Sequence, residues 1–86
     1  MLALKSMVVT YEITGTAAEG VLIEANRILD QVHSTMQNVR VAGSPGHVRV
    51  LFCVDGPHED QDQINILLHQ STTFSSASSL GAVERE

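Results

Sequence analysis

Aromatic residues are scarce in this chain: Tyr11, Phe52 and Phe74 are the only ones among 86 residues. The core must therefore be built mostly from Val, Ile and Leu. One domain is all that this length supports, and a core of that size is marginal when alone. Both facts point towards a second copy or a partner domain. Cysteine is nearly absent. The single Cys53 excludes an internal disulfide and suits a reducing compartment. Basic charge is also low, with five Lys/Arg against ten Asp/Glu and a formal net charge of −5. A nucleic-acid partner needs a basic patch against its phosphates, so none is expected, and an anionic membrane surface is disfavoured in the same way. The longest apolar run is Val50–Val54. Neither a transmembrane helix nor a signal peptide is expected from such short runs.

What the chain does have is clear periodicity. In Gly20–Val41, apolar residues fall at Val21, Leu22, Ala25, Ile28, Leu29 and Val32, the spacing of one buried helical stripe. The period then changes to two, with Val39 and Val41 alternating with Asn38 and Arg40. A helix feeding a strand in this way is half of a split β-α-β unit. Upstream, Met7–Thr14 alternates as a strand, with Val9, Tyr11 and Ile13 on one face and Val8, Thr10, Glu12 and Thr14 on the other. Met1–Ser6 reads as a lead-in. Thr16-Ala17-Ala18-Glu19 matches a capping box, which predicts a helix from Thr16 or Ala17 to about His33.

Gln37–Ala42 is expected to be the second strand and Gly43–Gly46 a four-residue turn. His47–Asp55 is the third strand, with Val48, Val50, Phe52 and Val54 facing one way and His47, Arg49, Leu51 and Cys53 the other. Pro57 and the acidic residues after it open a second helix at about His58–Ser71, buried through Ile64, Leu67 and Leu68. Ser75–Ser79 has weak strand propensity, and Leu80–Glu84 completes a final strand. The order β-α-β-β-α-β predicts an α+β, ferredoxin-like domain spanning 1–86: a four-stranded antiparallel sheet with two helices on one face. Val8, Thr10, Glu12, Asn38, Arg40, Arg49, Leu51 and Cys53 would then lie on the uncovered face.

Chemistry-bearing patterns are sparse. His33, His47, His58 and His69 lack the spacing of a zinc site and read as exposed or helix-end residues. Asp55, His58, Glu59, Asp60 and Asp62 could serve a hard cation, but they lack the EF-hand spacing and suit a helix start without one. Cys53 has no basic neighbour except Arg49 and reads as a quiet half-buried thiol. No nucleophile with a base and no paired acid and base are found. The expectation is a protein that is not an enzyme and has no metal or cofactor.

Gly20 and Leu22, the stripe Ile28, Leu29 and Val32, and Asn38-Val39-Arg40-Val41 together resemble an ACT domain, a βαββαβ module that commonly binds amino acids at subunit interfaces. Glu19 stands where that family has Pro, and His33 and Thr35 stand where it usually has Gly and Asn. The resemblance implies an amino-acid effector near Glu19, Gly20, Val21, Leu22, Thr35 and Met36. Met36–Val39, Val48–Phe52 with Asp55-Gly56, and the ending Ser79–Glu86 resemble more narrowly the C-terminal domain of MgtC/SapB-type membrane proteins, itself ACT-like and associated with magnesium transport. That resemblance implies a non-catalytic regulatory domain on the cytoplasmic side of an inner membrane. Its partners would be a membrane domain of the same native chain, and a second copy or partner domain meeting the sheet face or an edge strand. The alternative is a free-standing ACT domain serving as the regulatory subunit of an amino-acid biosynthetic enzyme.

Overall fold

The computed structural model describes residues 6–85, and side chains as far as Glu84. Six elements follow in order: β1 (Ser6–Gly15), α1 (Ala18–Gln31), β2 (Gln37–Ser44), β3 (His47–Pro57), α2 (His58–Gln70) and β4 (Ser76–Arg85). Ser6 already belongs to β1, and the rest of the expected lead-in lies outside the described residues. The strands form one antiparallel sheet in the order β2-β3-β1-β4. This is the ferredoxin-like α+β arrangement that the alternation predicts.

Alternation in the two central strands decides which face the helices cover. Val9, Tyr11 and Ile13 of β1 and Val50, Phe52 and Val54 of β3 are all buried. Register pairs them as Val9 with Val54, Tyr11 with Phe52 and Ile13 with Val50. Against them pack Val21, Ala25, Ile28 and Leu29 from α1 and Ile64 and Leu68 from α2. Tyr11 and Phe52 stack, with ring centroids 5.5 Å apart. The other face is open. There Val8 pairs with Asp55, Thr10 with Cys53, Glu12 with Leu51 and Thr14 with Arg49, while Arg40 stands opposite Leu51 on the next strand.

Several boundaries differ from the expectation. β1 stays paired through Gly15, opposite Val48, and a Cβ on Gly15 would collide with the Val21 side chain. With the strand drawn out this far, α1 starts at Ala18, its N-cap is Ala17, and no side chain caps it. The Thr16–Glu19 capping box therefore does not form, because Glu19 stands one position too early for it. At the other end, Ser34 N–H donates to the Leu29 carbonyl at 2.9 Å and His33 N–H to the Asp30 carbonyl at 3.2 Å. This is a Schellman closure, and His33 at φ 56° occupies the left-handed position that usually takes Gly.

The hairpin turn is tighter than expected. Gly43 and Ser44 remain in β2, Ser44 pairs with His47, and only Pro45 and Gly46 lie between the strands. Gly43 at φ 128° admits no side chain there, because a Cβ would strike the His47 carbonyl. β3 runs two residues beyond Asp55, to Pro57 opposite Ser6. β4 begins at Ser76, earlier than serine propensity indicates, since β1 offers it a complete row of partners from Thr14 back to Ser6.

Candidate functional site

The residues singled out around α1 divide between its two ends. Glu19 and Gly20 are exposed in the first turn, Leu22 is half-buried, and Val21 is a core residue at 1% exposure. Thr35 is exposed and Met36 packs partly against the core beyond the helix end. Gly20 and Gln31 are about 17 Å apart along the axis at 1.5 Å per residue. Within one chain the two groups therefore share no pocket, and joining them in one site needs a second copy. The uncapped first turn does leave backbone amides near Gly20 without a side-chain acceptor.

A cluster that the sequence reading missed joins α2 to the sheet. Gln61 is 5% exposed, and it replaces an apolar residue one turn before Ile64 on the buried stripe of α2. Its Nε2 donates to the Val54 carbonyl at 2.8 Å and to the Met7 carbonyl at 3.1 Å. Its Oε1 accepts from the Tyr11 hydroxyl at 2.6 Å. Burial, helped by the negative charge of Asp62, pushes the Tyr11 phenol up to about 12, so it stays a protonated donor. The one available signal was position: Gln61, Ile64 and Leu68 are three and four residues apart, one helical stripe. Beside this cluster a cavity of about 160 Å³ opens between α2 and β4, lined by His58, Asp62, Asn65, Ser79 and Ala82 among others.

The other polar contacts lie nearer the surface. Arg27 holds Glu24 through two hydrogen bonds, at 2.7 and 2.9 Å. Ser71 donates to Glu24 at 2.7 Å from just beyond α2. These bonds lower the Glu24 carboxyl to about 2 and raise the Arg27 guanidinium. His58 Nδ1 lies 3.3 Å from Asp62, with both side chains exposed. His69 Nδ1 lies 2.8 Å from the Asn65 carbonyl. Half-buried Cys53 has the Thr10 hydroxyl 3.4 Å from its sulfur on the open face. Also on that face, Arg49 stands 3.7 Å from Glu12. Among the described residues no group of three or more His, Cys, Asp or Glu is placed to hold a metal ion. Nor is any helix among them long and apolar enough to cross a membrane.

Comparison with protein-family models and with curated proteins finds no match.

Proposed function

We propose that this is a non-catalytic regulatory or interaction domain that works through its sheet. The supporting observation is the one-sided cover: both helices pack on the face of Tyr11 and Phe52. The opposite face presents half-buried Val8, Leu51 and Cys53 around the Glu12–Arg49 pair. Apolar side chains among polar ones suit a contact that forms and releases. The resemblance at Met36–Val39, Val48–Phe52 and Ser79–Glu86 favours one setting for this contact. The domain would be the cytoplasmic C-terminal part of an MgtC/SapB-type membrane protein, passing a state to its membrane part.

The second reading is an ACT domain that binds an amino-acid effector, and the uncapped start of α1 favours it. Free amides at a helix N-terminus suit a carboxylate, and a second copy would have to bring Thr35 and Met36 beside Gly20. A melting scan against the twenty amino acids and Mg²⁺, with the solution mass recorded alongside, separates the two readings. A ligand stabilises the state that it binds. No shift with any amino acid, together with an assembly larger than one chain, supports the interaction domain. A shift of several degrees with one amino acid, abolished by a bulky substitution at Gly20, supports the effector site.

A further inference from the structure

The two edges of the sheet are built differently. β2 carries Arg40 at mid-strand, and its pairing with β3 is irregular between Gln37 and Arg40, with Asn38 at φ 53°. A charge and a kink are the usual means of keeping another strand off an edge. On β4, Ser76–Val83 carries no charge and no proline. Leu80 and Val83 are 56% and 67% exposed. Two chains of net charge −5 can approach along this edge without opposing carboxylates.

The irregularity of β4 determines how such an approach fits. Thr10 pairs with Gly81 and Tyr11 with Ser79, so Leu80 is an inserted residue. Before it, Ala77 and Ser79 share the helix side with Ile13 and Tyr11, and Ser76 and Ser78 share the open side with Thr14 and Glu12. After it, Ala82 and Glu84 lie on the helix side with Val9 and Met7, and Gly81 and Val83 on the open side with Thr10 and Val8. The inserted residue therefore reverses the inside-outside parity halfway along the strand.

We propose that β4 pairs antiparallel with β4 of a second copy, about a two-fold axis between Leu80 and Gly81. This deepens the reading of a domain that works through its sheet by naming the edge and the partner. Ser79 then faces Ala82 of the second copy, both on the helix side. Ser78 faces Val83, both on the open side, and Ala77 faces Glu84. Leu80 lies over Gly81 of the second copy, where a Cβ would meet nothing within 4 Å in the single chain. A shift of one residue sets helix-side positions against open-side ones. A shift of two in one direction has the same fault at Gly81 and Ala82. In the other direction it leaves Glu84 and Arg85 unpaired. The proposed register uses the whole strand and opposes no like charges. It makes one eight-stranded sheet with all helices on one face and brings the cavity beside α2 to the junction.

The test uses the whole chain. The wild type should have twice the 9.3 kDa mass in analytical ultracentrifugation. Leu80→Lys, which sets two ammonium groups beside the axis, should return it to one chain mass with its circular dichroism unchanged. In a Cys53→Ser background, Ser79→Cys with Ala82→Cys should give a disulfide-linked dimer on mild oxidation. Within one chain the inserted Leu80 leaves those positions opposite Tyr11 and Val9, about 7 Å apart, so the readout is a covalent species of twice the chain mass, which an internal bridge cannot give. Ser79→Cys with Val83→Cys, on opposite sides, should stay unlinked. A monomeric wild type overturns the proposal. So does a dimer that ignores Leu80→Lys and fails to link through positions 79 and 82. In that last case a dimer broken by charges at Leu51 or Val41 would leave the interaction domain standing with a different contact.

Discussion

Gln61 shows how much a single polar side chain can carry in a small core. It ties α2 to both central strands, through the Val54 and Met7 carbonyls and the Tyr11 hydroxyl. Gln61→Ala removes three bonds at once: the Tyr11 hydroxyl keeps the Gln61 backbone carbonyl at 3.2 Å, but the Val54 and Met7 carbonyls lose their side-chain donor, each at about 1–3 kcal/mol before water relieves it. Tyr11→Phe removes a hydroxyl and leaves Gln61 its two carbonyl bonds, for about 1 kcal/mol. Urea unfolding should therefore rank Gln61→Ala well below Tyr11→Phe, and equal losses would mean that the carbonyl bonds contribute nothing. Glu24 makes a pH-dependent contribution. Its carboxyl lies at about 2 in the folded chain, against the ordinary 4.5 of a free glutamate, held down by the Arg27 and Ser71 hydrogen bonds. The depressed value favours the folded state above 4.5, and that benefit is lost as pH falls towards 2. The contacts are at the surface and screened by water, so Glu24→Gln should lower the melting temperature by roughly a few degrees at pH 7. The difference from wild type should vanish near the acid end of the window.

Among the elements, those with strict periodicity were legible in the sequence. Val9, Tyr11 and Ile13, like Val50, Phe52 and Val54, mark the buried face of the sheet by alternation alone. In α1, Val21, Ala25, Ile28 and Leu29 mark the buried stripe. Elements shaped by their neighbours were not legible. The Thr16–Glu19 signal is local, but the pairing of Gly15 with Val48 displaced the helix start. Serines 76, 78 and 79 are poor strand formers taken into β4 by the partners that β1 offers. Gln61 was concealed by its polarity on an otherwise apolar stripe. The candidate effector residues Gly20 and Met36 came from motif position, and α1 sets them at its two ends within the chain. The Schellman closure of α1 leads to a further prediction. A non-glycine residue in the left-handed region costs about 1 kcal/mol, so His33→Gly should stabilise the domain by roughly 0.5 kcal/mol once the greater freedom of unfolded glycine is subtracted. A loss on thermal melting would mean that the His33 ring makes a contact that outweighs the strain.

For the whole molecule, size and the open sheet act together. A chain of 86 residues with helices on one face buries little beyond a single layer of side chains, and domains this small keep a narrow margin of stability. Pairing β4 with β4 adds stability in the one form that depends on concentration, because mass action favours the folded dimer over unfolded single chains. The melting temperature of the wild type should therefore rise with each tenfold increase in protein concentration. For a two-chain assembly, one such step is worth about 1.4 kcal/mol of dimer stability. Leu80→Lys should flatten that dependence and melt at the value the wild type approaches on dilution, because Leu80 is exposed in the single chain and adds nothing to its core. The core variant Gln61→Ala should melt lower at every concentration yet keep the wild-type slope. If the slopes exchange places, so that the core variant loses its concentration dependence and Leu80→Lys keeps it, association runs through the packing of α2 and not through the β4 edge.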